Sequence, residues 1–221
     1  MAHGTGDGRH GRGGDAPSAP SAGPPGGARA QTDPRVVEFA RLEVAGYLGR
    51  DAQVVKTAER EFVSLSVGST HSWRGADEQP QERTVWTKVL VFGEPAEALR
   101  DLRKGAAVYA VGPLTYDRWE DANGPRHAPV IRVTERNGEV QPGPIPGGQF
   151  TRVTVSGVIA RAATVQHDAG NPAANRATAR FGVQARGNHA VVVQGPLVNH
   201  IADRLGAGHG VRMEGRLELR R

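Results

Sequence analysis

The sequence predicts an all-β protein with short helices, built as two five-stranded Greek-key barrels in tandem behind a disordered N-terminal segment. Three observations predict it. Between Val36 and Val133 apolar residues recur with the period of two that marks strands buried on one face. A single stretch of helical spacing interrupts them after the third strand. From Phe150 onward the pattern of the first unit returns.

Composition divides the 221 residues into segments 1–33, 34–140, 141–149 and 150–221. The first is mostly Gly, Ala, Pro, Ser and Asp, too poor in apolar side chains to offset the entropy of ordering, and is expected to be disordered. Its Gly8–Gly14 run, with two arginines, reads as a solvated tail. It lacks the apolar core of a secretory signal, and no apolar run is long enough to span a membrane. With no cysteine, disulfides and thiolate metal sites are excluded, and a cytoplasmic location is expected. Residues 34–140 carry 15 Lys/Arg against 16 Asp/Glu, whereas residues 141–221 carry 10 arginines against Asp168, Asp203, Glu214 and Glu218. Nine of the eleven aromatic residues lie between Phe39 and Trp119. Ring surface and positive charge thus sit in different parts of the chain.

The first strand runs through Phe39, Leu42, Val44 and Leu48, with Gly46 permitting a bend or bulge. The second spans Glu61 to Thr70, with Val63, Leu65 and Val67 inward. Arg74 to Arg83 reads as a polar loop because of its Pro and Gly. The third strand, Thr84 to Phe92, puts Val85, Val89 and Val91 on one face and Trp86, Lys88, Leu90 and Phe92 on the other. Ala96, Leu99 and Leu102 predict a short helix over Glu94–Lys104, ended by Gly105. Ala107 to Leu114 forms a fourth strand, Tyr116 to Gly124 a polar hairpin with an Asn-Gly turn, and Val130 to Val133 a last strand. Three strands, a short helix and two strands is the order of an OB-fold, a barrel that commonly binds single strands on its second and third strands.

Trp86 and Phe92 flanking Lys88 suit single-stranded nucleic acid, because a flat ring stacks on any base and an ammonium can meet phosphate. The same aromatics could instead be strand formers in a second core. Over residues 36–135 the chain resembles the bacterial single-stranded DNA-binding proteins. The matching pieces are Val44-Ala-Gly-Tyr-Leu-Gly-Arg-Asp51, Ser72-Trp73-Arg74, Trp86-Thr-Lys-Val-Leu-Val-Phe-Gly93, Leu102-Arg-Lys-Gly105, Val108-Tyr-Ala-Val-Gly-Pro-Leu114 and Arg118-Trp119. The resemblance implies that Trp73, Trp86, Phe92 and Trp119 stack on DNA, that Lys88 contacts phosphate, and that Arg74 and Arg118 contribute beside their tryptophans. It implies a nucleoid-associated protein that protects single strands in replication, recombination or repair. That family usually brings four OB-folds together, so a homodimer is expected. It also commonly ends in an acidic tip that recruits partner enzymes, where this chain has Glu-Leu-Arg-Arg, so the resemblance leaves partner enzymes open.

Gln141–Gly148 reads as a Pro/Gly linker, and beyond it Phe150–Arg161 matches Phe39–Arg50 position for position. Val191, Val193, Gly195, Gly208, Val211, Gly215 and Leu217 repeat Val89, Val91, Gly93, Gly105, Val108, Gly112 and Leu114. Asn188 replaces Trp86 and Gln194 replaces Phe92, so this second unit carries no stacking ring, and the chain ends at Arg221 before a counterpart of the final hairpin. The open edge that results must be paired, covered or charged, by Arg216, Arg220 and Arg221 or by another subunit. Arg152, Arg161, Arg176, Arg180 and Arg186 either form an electrostatic track or leave the unit a structural partner. An accessory protein of a replication or conjugation complex, acting through protein contacts, is the alternative function. Enzymatic activity, a small-molecule substrate, a cofactor and a metal are not expected: there is no phosphate-binding loop, and the eight histidines, His71 and His127 beside the proposed groove among them, show no metal-ligand spacing.

Overall fold

The computed structural model describes residues 36–74, 78–122, 124–145, 147–166 and 177–217. The predicted N-terminal segment, Arg176, Asp168 and the terminal Glu218, Arg220 and Arg221 lie outside them. Among the described residues eleven strands form one continuous sheet: β1 (Phe39–Leu48), β2 (Gln53–Lys56), β3 (Glu61–Arg74), β4 (Pro80–Phe92), β5 (Ala107–Asp121), β6 (Gly124–Val133), β7 (Glu139–Pro142), β8 (Phe150–Gln166), β9 (Thr178–Gln184), β10 (Asn188–Gln194) and β11 (Gly210–Gly215). Two short helices, α1 (Glu94–Glu97) and α2 (Leu197–Arg204), follow β4 and β10.

The first barrel closes through β1, β3, β4, β6 and β5, with β6 parallel to β4 and antiparallel to β5, and β5 returning to β1. This is the OB-fold arrangement. Leu42, Val44, Leu65, Val89, Val108 and Ile131 fill it, all fully buried, as the alternation of their strands requires.

Several boundaries differ from the sequence reading. At both ends of the polar stretch Arg74–Arg83, Arg74 and 80–83 are strand, because β3 and β4 remain paired out to Arg74 opposite Pro80. Pro80 is tolerated as the first residue of its strand. The hairpin after Leu114 is likewise a long β5–β6 ribbon, paired from Leu114 opposite Ile131 to Asp121 opposite Gly124. The α1 helix stops at Glu97, well before Gly105; that glycine, at φ +85°, donates its N–H to the Leu48 carbonyl. Two short strands were not anticipated: β2 pairs with β3, and β7 takes Gln141 and Pro142 from the expected linker to pair with Tyr109 and Val108.

The second unit repeats the pairing of the first, with β8 bonded to both β9 and β11, and β9 to β10, as β1 is to β3 and β5, and β3 to β4. The backbone agrees in detail: Gly93 and Gly195 have φ of +74° and +84°, and Gly105 and Gly208 +85° and +90°. Among the described residues no counterpart of β6 closes it, so β10 ends the sheet. One side-chain contact reaches β10 from the first unit. His189 on β10 donates from Nε2 to the Ala185 carbonyl (3.1 Å), leaving Nδ1 to accept from the Tyr116 hydroxyl of β5 (3.2 Å).

The two units join along β1 and β8, antiparallel from Phe39 opposite Ser156 to Ala45 opposite Phe150. Leu42 opposite Val153 is the centre of this ladder, and the repeat equates those two residues, so the units are related by a local two-fold axis there. One hydrophobic cluster runs across the join, from Leu65 and Val89 to Val155, Ile159 and Phe181. At Gly46 the edge of β1 passes from β8 to β3. A Cβ on Gly46 would lie 2.1 Å from the Gly68 carbonyl oxygen, and one on its counterpart Gly157 would lie 2.1 Å from the Gln184 carbonyl oxygen. Gly46→Ala is therefore expected to lower unfolding stability by about 1–3 kcal/mol or more in urea. Gly215→Ala, which meets open space, is expected to stay within about 0.5 kcal/mol of the parent.

Candidate nucleic-acid interface

The alternation of β4 divides its side chains as the sequence implies, with Val85, Thr87, Val89 and Val91 buried and Trp86 50% exposed. Leu90 departs from it: it lies on the outer face between Ser64 and Arg132 yet is buried. Trp86 faces Gly68 across β3. A Cβ on Gly68 would approach its ring to 2.7 Å and one on Gly49 to 2.4 Å. Two glycines thus form a bed on which the indole lies across the sheet with its other side open. Tyr47, opposite Gly68 on the β1 side, shares this face and is also exposed. Sequence reasoning missed Tyr47 and the glycine bed; the only signal was that Tyr47 and Gly49 lie in the Val44–Asp51 motif.

Phe92 is half-buried against Phe62, ring centroids 5.1 Å apart, with the Arg60 guanidinium 5.5 Å from its centre. It offers less free ring than Trp86. Trp119 is 49% exposed on β5, opposite Arg126. By register Trp119, Asp117, Lys88 and Trp86 lie on one face. Arg118 falls on the other side of the ribbon with Tyr116, so it does not flank Trp119 at the same surface.

Lys88, read from the sequence as a phosphate contact, is held in an ion pair. Its Nζ lies 2.8 Å from one oxygen of Asp117, whose other oxygen accepts from Arg132 at 3.0 Å. Strands β4, β5 and β6 thus bring two cations and one carboxylate together between Trp86 and Trp119. Arg132 was not singled out from the sequence, and Asp117 lay in what read as a polar hairpin.

Trp73 is 42% exposed, but in register with Gln81, on the face of Val85 and opposite to Trp86. Arg74, exposed at the end of β3, stays on the Trp86 side. The three tryptophans therefore do not make one surface. Trp73 lines a groove with His71, Arg83 and Val85, and the far wall is Arg216 and Leu217 of the second unit. The ribbon is tied to that unit where the Thr70 N–H donates to Gln149 Oε1 (3.1 Å) and His71 Nε2 meets Thr151 Oγ1 (3.3 Å). His127, the other histidine expected at the groove, lies on β6 edge-on to Tyr116.

The expected arginine track is uneven. Arg152 is held at the join of the two units by Glu214 (3.1 Å) and Glu43 (3.5 Å), over the Phe150 ring, and Arg212 lies over Phe39. Arg161, Arg180 and Arg186 are exposed. Among the described residues no group of three His, Asp or Glu is placed to hold a metal, and no helix is long and apolar enough to cross a membrane.

Residues 39–138 match the single-strand binding protein family. Two crystal structures of a single-stranded DNA-binding protein from Thermus aquaticus resemble the chain at 20% identity. The wild-type protein aligns with a TM-score of 0.62 over 81% of this chain and 85% of that one, and a deletion variant with 0.64 over 81% and 86%. At that identity the likeness establishes the fold.

Burial, and then the Arg216 charge, hold the His71 pKa below its ordinary value. Because the unfolded chain takes up this proton first, His71 is expected to withdraw stability as pH falls below about 6.5. Arg216→Ala is expected to move the His71 titration, followed by NMR, back up toward that value.

Proposed function

We propose that this chain, whose residues 39–138 form an OB-fold domain of the single-strand binding protein type, binds and protects single-stranded DNA without reading its sequence, in replication, recombination or repair. The observation that carries this reading is the Trp86 indole, laid open on Gly49 and Gly68 and sharing its face with Tyr47, Trp119 and the Lys88–Asp117–Arg132 cluster. No catalytic chemistry is needed for this role, and the family is one of non-enzymatic DNA-binding proteins.

Bases stack on Trp86 and Trp119, each ring contributing about 1–3 kcal/mol, with Phe92 adding the part of its ring that Phe62 leaves free. Between these rings the backbone passes Lys88 and Arg132. Both cations already have a carboxylate partner, so phosphate must exchange with Asp117 rather than fill an empty site. Exposed ion pairs are worth only about 0–1 kcal/mol, so that exchange opposes binding weakly and stacking dominates. Duplex DNA, whose bases are stacked on one another, cannot reach the rings.

Titration of tryptophan fluorescence is expected to show quenching by oligo-dT and not by duplex of equal length. Trp86→Ala should weaken the single-strand complex by roughly 5- to 150-fold, the equivalent of one stack. Equal affinity for duplex would rule the reading out.

Asp117→Asn leaves both cations to the strand. Tighter binding at low salt is expected, with log K falling more steeply with log salt by about 0.7 for each additional phosphate neutralised. Glu120→Gln, the same charge change on the opposite side of the ribbon, should do less. Looser binding by Asp117→Asn would show that Asp117 holds the cations for the strand instead of competing with it.

A further inference from the structure

The β5–β6 ribbon that carries Trp119 leaves the first barrel at a definite point. The β4–β6 ladder begins at Lys88 opposite Val130, and β5 parts from β1 after Pro113. From Tyr116 opposite Pro129 outward, among the described residues, the two strands are paired only with each other. A two-stranded ribbon of this kind is marginally stable on its own. Where Trp119 sits therefore depends on what grips the root of the ribbon.

Two adjacent residues grip it from opposite sides. Asp117 holds Lys88 and Arg132 on the side of Trp119. Tyr116, on the other side, donates its hydroxyl to His189 Nδ1 of the second unit at 3.2 Å, with ring centroids 5.8 Å apart. The polarity of this bond is fixed. The Ala185 carbonyl can only accept, so Nε2 of the neutral imidazole carries the proton and Nδ1 offers its lone pair. Burial pushes the Tyr116 phenol pKa up, which keeps the donor proton in place. His189 is itself buried, at 5% exposure, so bound DNA cannot touch it directly.

Resting on the single-stranded DNA reading above, we propose that His189, acting through Tyr116, is a positioning residue for Trp119, by which the second unit holds the ribbon so that this indole stands ready on the face of Trp86. The grip matters most during binding. Phosphate that displaces Asp117 from Lys88 and Arg132 loosens the ribbon on its DNA side, and the His189 contact, on the far side, survives that exchange. The unit without stacking rings thus acts on a ring of the other unit from a distance.

The test is a set of substitutions in the full chain, read by affinity for oligo-dT. Tyr116→Phe removes the donor and keeps the ring, and is expected to weaken binding by about 2- to 10-fold, the worth of one hydrogen bond that keeps the ribbon in its binding position. His189→Ala should weaken it to a similar extent from the second unit. With Trp119→Ala already present, Tyr116→Phe is expected to cost nothing further, whereas with Trp86→Ala it should keep its full effect. Tyr109→Phe removes a comparable hydroxyl, 3.5 Å from Glu43 Oε2, and should leave affinity unaltered. A spectroscopic readout separates positioning from general loss of structure. In protein labelled with fluorotryptophan, Tyr116→Phe is expected to shift or broaden the fluorine NMR signal of Trp119, identified by its loss in Trp119→Phe, and to leave those of Trp73 and Trp86 in place. Unchanged affinity in Tyr116→Phe, its undiminished effect in the Trp119→Ala background, or movement of all three signals together overturns the positioning role and leaves the functional reading intact. Absence of any binding by the unmodified chain overturns both.

Discussion

The antiparallel ladder between β1 and β8 is the interaction on which the rest of the structure depends. It joins a closed barrel and an open second unit into one sheet over one hydrophobic cluster. The ladder is centred on Leu42 and Val153, equivalent residues of the repeat, so each unit offers the other the same strand edge. Such a self-complementary edge is the usual solution for pairing like with like, here between two parts of one chain. Just past its two ends, Gly46 and Gly157 let the carbonyls of Gly68 and Gln184, each from its own unit, approach where any Cβ would collide.

Once that ladder is in place, the second unit acts on the first at several distances from the join. It fastens the β3–β4 ribbon through Gln149 and Thr151, and meets the β5–β6 ribbon through His189. Trp73 and Trp119 ride on those two ribbons, whereas Trp86 rests on the barrel wall itself. The loss of stacking rings from the second unit is therefore consistent with a supporting part in placing the rings that remain. Tyr116 also reaches the His189 side chain on β10, the strand that ends the sheet among the described residues.

Charge at the interface is arranged differently from what net composition suggests. The excess of arginine in residues 141–221 is partly consumed at the join, where Arg152 is shared between Glu43 and Glu214 and Arg212 covers Phe39. In the first unit, which is nearly neutral, Asp117 binds Lys88 and Arg132 into a cluster with only one net positive charge. An interface with its cations already paired gains little from phosphate neutralisation and more from stacking. That balance accords with the proposed binding of single strands without reading their sequence.

The sequence by itself determined the strand alternation, the OB order of elements, the repeat and the outward placement of Trp86, because each depends on residues near one another in the chain. A period of two decides which face Val85 or Trp86 takes regardless of what the strand later pairs with. Repeated glycines such as Gly93 and Gly195 likewise report a local backbone need, a positive φ. Only the tertiary structure decided that Trp73 faces away from Trp86, that Lys88 is held by a carboxylate from another strand, and that Pro142 belongs to a strand rather than a linker. Those outcomes rest on how far β3 and β4 stay paired and on which edges meet. Pairing between distant segments is set by the whole sheet, and no local pattern of Arg74–Arg83 or Gln141–Gly148 encodes it.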